Sequence, residues 1–248
     1  MSPEEIVTKS VGNYFRSYRE ALNYTYLQRD EEKSGGELRV VNSQVIPIDG
    51  TPFEYTITRN GKQLTREKDR KEDGRIEKRH NESPSERAKR IREYQDSRAF
   101  LKEVPQAYLF KLVGEEEIDG REAYEIDCTP KPGYQPQSKR TEMLSRIKAT
   151  LWIDKQDLQW ARADATVIDT ISIGWILARV GPGASMKFRQ KRINDQVWLP
   201  SLIEVTGNAR VFLVKDHPIN ERIAYTDFKR VNPQEAADML SKLEISTP

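Results

Sequence analysis

The sequence predicts a β-rich chain of the α+β class: an antiparallel sheet with an N-terminal helix, a charged helical insertion and a short C-terminal helix. Three observations carry this. Runs of five to ten residues alternate apolar and polar side chains with a period of two. Asp49-Gly50, Asn60-Gly61 and Asp119-Gly120 punctuate those runs with the residue pairs that tight hairpins require. The first twenty residues instead repeat apolar side chains at helical spacing. Sheets of this kind reach 248 residues as one unit, so 1–248 reads as a single domain. A chain this long buries roughly three quarters of its extended surface and needs no disulfide or metal to hold a core.

Ser2, Pro3 and Glu5 form a capping box with proline at the first helical position. Ile6, Val7, Val11, Tyr14, Phe15, Tyr18 and Leu22 then make one apolar stripe, which predicts a helix over 3–20. From Tyr24 the period changes to two. Leu38 and Val40 belong to one strand, and Phe53, Tyr55 and Ile57 to the next.

Residues 65–93 hold Ile76, Ala88 and Ile91 as their only apolar members, so they cannot build a core of their own. The insertion, about 62–104, reads as a largely solvated helical segment. Strand patterning returns at Tyr108, Phe110 and Leu112, turns at Asp119-Gly120, and continues through Tyr124, Ile126 and Cys128 until Pro130.

A short helix is expected over 138–145. Strands follow at 149–153, 160–168, 171–180, 186–193, 197–206, 210–214 and 222–228. Asn232-Pro233-Gln234-Glu235 repeats the N-terminal capping logic and opens a helix over about 233–243.

The chemistry of the chain is mostly exclusion. Lys plus Arg number 41 against 39 Asp plus Glu, a formal charge of +2, which disfavours general nucleic-acid binding. Cys128 stands alone, so no disulfide framework exists within the chain. No run of eighteen apolar residues is present, and residues 167–180, the most apolar stretch, are broken by Asp169, Thr170 and Ser172. The first residues read as a mature helix and not as a signal peptide, which leaves a cytoplasmic protein or an exported one whose signal has been removed.

His80 and His217 lack metal-spaced neighbours. Glu115, Glu116 and Glu117 solvate a hairpin end, and Gly181-Pro182-Gly183 is a turn with no phosphate-binding helix after it. No catalytic residue, metal ligand or cofactor site is assigned, and the chain is read as a non-enzyme. The stretch from Lys62 to Lys102 carries 14 basic and 9 acidic residues, an excess that suits a phosphate or an anionic membrane surface. The acids interspersed through it, and the scarcity of aromatics before Tyr94 and Phe100, favour a solvated face. Residues 171–180 are apolar on both faces, as in a covered central strand or in a wall lining a cavity.

The order of these elements resembles the LolA-like, outer-membrane lipoprotein-sorting family. The hairpins at 113–131 (VGEEEIDGREAYEIDCTPK), 149–164 (ATLWIDKQDLQWARAD) and 192–205 (RINDQVWLPSLIEV), with the closing 224–231 (AYTDFKRV), look like that family's successive hairpins. The resemblance implies a curved antiparallel sheet forming an incomplete, half β-barrel, with the helical insertion as a lid. It also implies a periplasmic protein that binds a lipid or lipoprotein acyl chain and makes or breaks no bond.

On that fold, Phe53, Tyr55, Phe110, Trp175 and Leu177 are the candidates for the apolar concave face. The alternative is a structural or regulatory module that fills its own cavity and docks an envelope protein partner.

Overall fold

The computed structural model describes residues 1–64, 66–173, 178–195, 197–211 and 215–245. The predicted box opens α1 (Pro3–Glu20): the Ser2 hydroxyl accepts from the Glu5 amide at 3.2 Å, and the Glu5 carboxylate accepts from the Ser2 amide at 2.9 Å. Four strands follow, β1 (Tyr24–Ser34), β2 (Glu37–Ile48), β3 (Thr51–Arg59) and β4 (Lys62–Gln63).

The insertion holds α2 (Arg66–His80), α3 (Pro84–Asp96), a 3₁₀ turn at Ala99–Glu103 and α4 (Val104–Ala107). Then come β5 (Tyr108–Ile118), β6 (Arg121–Pro130), β7 (Ile147–Asp154), β8 (Trp160–Val167), β9 (Ile171–Ile173), β10 (Ala178–Val180), β11 (Ser185–Arg192), β12 (Trp198–Val211) and β13 (Lys215–Arg230). The last element, α5, spans Pro233–Ile245.

All pairings are antiparallel, in the order β4-β3-β2-β1-β13-β12-β11-β8-β7-β6-β5, with β10 on β12 and β9 on β10. The sheet stays open, because β4 and β5 are its two edges. It is also curved. Helix α1 touches β5, β7 and β12, and five strand spacings of ~4.8 Å separate the outer two, about twice the width of a helix. Only a sheet that curls around α1 can reach it from both sides. The α+β half-barrel expected from the sequence is the architecture observed.

The hairpin pairs behave as their residue types require. Asp49 and Gly50 have φ of 49° and 81°, Asn60 and Gly61 of 52° and 74°, and Asp119 and Gly120 of 51° and 78°. Two consecutive residues at positive φ match the twist of a two-residue hairpin, and Asx-Gly pairs adopt it at least cost.

Two strand expectations change. Residues 171–180 are not one strand, since β9 and β10 pair antiparallel with each other. Strand β12 continues through 207–208, where a break was expected. At Gly207 a Cβ would stand 2.5 Å from that of Ala184, so this glycine serves a close approach of β12 to the residue that precedes β11 and not a turn. The helix expected over 138–145 is a 3₁₀ segment at Thr141–Arg146.

The main core lies between α1 and the curled face. Ile6, Val7, Val11 and Tyr14 pack on Ile126, Leu151, Ile153, Trp160 and Ala163. The Trp160 indole donates to the hydroxyl of Ser10 at 2.7 Å, which satisfies both groups inside this core.

A second cluster lies on the other face of the sheet. Ile46, Phe53 and Tyr55 pack there with Ile76 of α2 and with Ala236 and Leu240 of α5. The insertion therefore reaches both faces around the β3–β4 edge.

Candidate functional site

Where α1, α3 and the sheet meet, aromatic side chains enclose a chamber of about 80 Å³. Helix α1 contributes Tyr14, Ser17 and Tyr18, which its period brings to one face. Strands β1 and β13 contribute Tyr26, Tyr225 and Phe228. Their rings meet Tyr26 at 5.8 Å edge-on and 5.3 Å tilted, in the order Tyr225 and Phe228.

Strand β11 supplies Phe188 and Gln190. The register slips at Arg189/Gln190, so that Ile203 lies opposite Phe188 and Pro200 lies opposite Gln190. That bulge turns both β12 residues to the chamber side. Trp198 lines it too, with its indole N–H donating outward to the Asp157 carboxylate at 2.9 Å.

The roof belongs to the insertion. Tyr94 of α3 stacks on Tyr18 at 4.9 Å, and the Tyr18 hydroxyl donates to the Tyr94 carbonyl at 3.0 Å. Arg98, just after α3, lies 4.6 Å from the Tyr18 ring centre and donates to the Tyr18 hydroxyl at 3.1 Å.

Burial works against the Arg98 charge, but the phenol oxygens of Tyr14, Tyr18 and Tyr94 outweigh it, so its pKa rises above the ordinary arginine value. Burial pushes the Tyr225 phenol up to about 12, and it raises Tyr14, Tyr26 and Tyr94 as well. These four phenols are neutral hydrogen-bonding groups at physiological pH.

Two features make the chamber unusual for a core. Arg98 is the one charged residue lining it, and among the described residues no carboxylate forms an ion pair with Arg98. Gln190 is 4% exposed, and its Oε1 has no hydrogen-bond partner. Buried polar groups are normally satisfied.

The roof is fastened by polar contacts. Arg79 of α2 donates to the Thr51 hydroxyl at 2.9 Å and to the Ile48 carbonyl at 3.2 Å. Arg90 of α3 donates to the same Thr51 hydroxyl and to the Glu82 carboxylate, and Arg87 lies 3.6 Å from the Asp49 carboxylate. Among its described side chains, α3 has no fully buried one. Such a lid separates from the sheet at lower cost than an apolar core element does.

Three of the five candidates from the sequence lie elsewhere. Phe53 and Tyr55 are buried under α2 and α5, on the opposite face from the chamber. The β2–β3 register pairs Phe53 with Ile46 and Tyr55 with Gln44, while Glu54 is paired with Val45 and Val45 with Tyr26. Successive residues alternate faces, so it is Glu54 that shares the face of Tyr26. Phe110 packs at the edge of the main core beside Tyr108, away from the chamber. Trp175 and Leu177 lie outside the described residues.

A wider groove of about 410 Å³ runs along the outer end of α1, but Asn13, Arg16, Glu20, Asp157 and Asp195 line it, and an apolar ligand would gain little there. Among the described residues no group of three or more His, Cys, Asp or Glu is arranged to hold a metal ion. Nor is any described helix long and apolar enough to cross a membrane.

No protein-family model and no curated protein matches the chain. Among solved structures it is similar to a DUF1329 family protein from Desulfovibrio piger, at 15% identity and TM-score 0.38, covering 93% of this chain and 94% of that one. It is also similar to a LolA superfamily protein from Nitrosomonas europaea, at 11% identity and TM-score 0.37, covering 95% and 96%. A third is a putative outer membrane lipoprotein-sorting protein domain from Vibrio parahaemolyticus, at 9% identity and TM-score 0.34, covering 96% and 99%. What the geometry itself defines is an open, curled antiparallel sheet with a lidded aromatic chamber.

Proposed function

We propose that this chain is a non-catalytic binding protein that takes an apolar ligand, the acyl chain of a lipid or lipoprotein, into the chamber under α3. The observation that carries this reading is an aromatic chamber whose roof is attached by polar contacts. The hairpin resemblance supports a periplasmic setting, in lipoprotein sorting or transport. Burying the chain of such a ligand is worth roughly 25 cal/mol per Å² of apolar surface, against which the cost of lifting the lid is set.

The closed chamber holds about 80 Å³, some half of the ~150 Å³ cavity that accepts one benzene. A long acyl chain therefore requires the roof to move, and the closed form is a resting state in this reading. The same small volume favours a second reading, an interaction module filled by its own aromatic side chains.

Native mass spectrometry of protein purified from its own host, followed by organic extraction, separates the two. A near-stoichiometric acyl species supports binding. An unliganded mass that persists after incubation with envelope lipids supports the interaction module.

A further inference from the structure

Arg98 in the roof and Gln190 on β11 bring a cation and an amide to a chamber walled largely by aromatic rings. A guanidinium withdrawn from water is ordinarily paired with an acid, because an uncompensated charge in a poorly hydrated site is costly. Here its neighbours are phenols. Its Nη1 donates to the hydroxyl of Tyr18 and to that of Ser97, both at 3.1 Å, and its plane lies over the Tyr18 ring.

A phenol oxygen accepts a hydrogen bond from the guanidinium without supplying the full negative charge of an oxyanion. A guanidinium has five N–H donors in a planar fork, suited to two oxygens of one carboxylate or phosphate. Gln190 lines the same chamber with an unpartnered Oε1, and an amide in that position can present either its oxygen or its N–H₂ to a ligand.

The acids that act on the phenols of the chamber stand on the sheet: Glu54 acts electrostatically on Tyr26, and Glu54, Glu221 and Asp30 on Tyr225. The cation of the lining, Arg98, sits in the roof.

We infer that the chamber selects amphiphiles with an oxyanion headgroup, carboxylate or phosphate, which Arg98 engages beneath the lid while the apolar tail lies among the rings. This rests on the binding function proposed above and goes further, since a chamber for a neutral acyl ester needs no cation in its lining. The position of Arg98 couples selection to closure. It stands two residues beyond the end of α3, so a ligand anion that holds Arg98 also holds the roof down.

The test uses the full chain and three probes of one tail length: dodecanoate, dodecyl phosphate and dodecanol, each below its micellar concentration. Binding is followed by calorimetry and by the fluorescence of Trp198 and its fellow indoles. At least one anion is expected to bind tenfold or more tightly than dodecanol, and Arg98→Gln is expected to bring that anion down to the level of dodecanol. The tighter of the two anions identifies the headgroup as carboxylate or phosphate.

Equal affinity for all three probes in the unaltered protein overturns the inference and leaves the binding function standing, whether or not the variant folds. A preference for anions that survives in a folded Arg98→Gln protein also overturns it, because the selecting cation is then elsewhere. Failure of all three probes to bind removes the binding function together with the inference.

Discussion

The Tyr18 hydroxyl is shared between two parts of the roof: it donates to the carbonyl of Tyr94 at 3.0 Å and accepts from Arg98 at 3.1 Å. A single oxygen on α1 thus joins the last turn of α3 to Arg98, two residues beyond its end. Tyr18→Phe keeps the ring and its stacking but removes both bonds. The expected loss is about 1–3 kcal/mol, since one of the two bonds involves a charged donor. Denaturant unfolding measures the total, and faster amide exchange across Pro84–Asp96 than across β6–β8 would localise it to the roof.

Thr51 is 3% exposed and its hydroxyl accepts from both Arg79 and Arg90. Thr51→Val retains the shape and removes one hydrogen bond from each guanidinium, while Arg79 keeps the Ile48 carbonyl and Arg90 keeps the Glu82 carboxylate, so α2 and α3 should open more readily by about 1–3 kcal/mol. Limited proteolysis within 66–96 reads this directly. Cleavage there with an unchanged sheet signal by circular dichroism is the expected result.

A contact within the insertion, between Arg90 of α3 and Glu82 of the turn before it, should weaken in acid. Glu82 has its pKa held below the ordinary 4.5, chiefly by the hydrogen bond from Arg90. A carboxylate with a depressed folded-state pKa contributes fully above its unfolded value and loses that contribution as pH falls through the folded one. Exchange across α3 should therefore accelerate below pH 4.5, and Glu82→Gln should abolish that part of the pH dependence.

Gly50 has φ of 81°, and a Cβ there would stand 3.1 Å from Cδ1 of Ile91 on α3. Gly50→Ala combines a left-handed backbone cost of about 1–2 kcal/mol with pressure on the lid. A lower melting temperature is expected together with faster exchange at Ile91. Stability lost without any change at α3 would show that the turn alone bears the strain.

Asp30 behaves in the opposite sense to Glu82. Burial raises its pKa above 3.8, with Glu54 and Glu32 adding to the rise and Arg39 opposing it, and its Oδ1 has no hydrogen-bond partner. Ionisation of a group whose folded-state pKa is raised costs stability, and the cost develops as pH rises from the unfolded value through the folded one. Asp30→Asn should raise the melting temperature at pH 8. The gain should shrink as pH falls through the carboxylate range, where Asp30 is already protonated.

Local signals in the sequence were read well where the structure they dictate is itself local. The turn at Asp119-Gly120 needs only the φ preferences of two residues. The reciprocal bonds of Asn232 and Glu235, at 2.9 and 2.8 Å, form within one turn of α5. The insertion holds one more such signal. Ser83-Pro84-Ser85-Glu86 has the same form as Ser2-Pro3-Glu4-Glu5, and it caps α3 with the same reciprocal bonds. It divides the insertion into its two helices.

The chamber was not legible in this way. Tyr18, Tyr26, Tyr94, Arg98 and Tyr225 come from both ends and the middle of the chain, and no spacing among them marks a common site. Phe53 and Tyr55 were favoured for size, yet a strand offers each face in turn, and the register with β2 gave the chamber face to Glu54.

By itself the sequence determined the capped helices, the hairpin turns and the alternation that makes an antiparallel sheet, because each depends on neighbours a few residues apart. Only the tertiary structure decided which face closes over a chamber and which lies beneath α5. The pairing of β1 with β13 and the folding of α3 over α1 are long-range choices, and a one-residue change of register in either strand would exchange every side chain between the two faces.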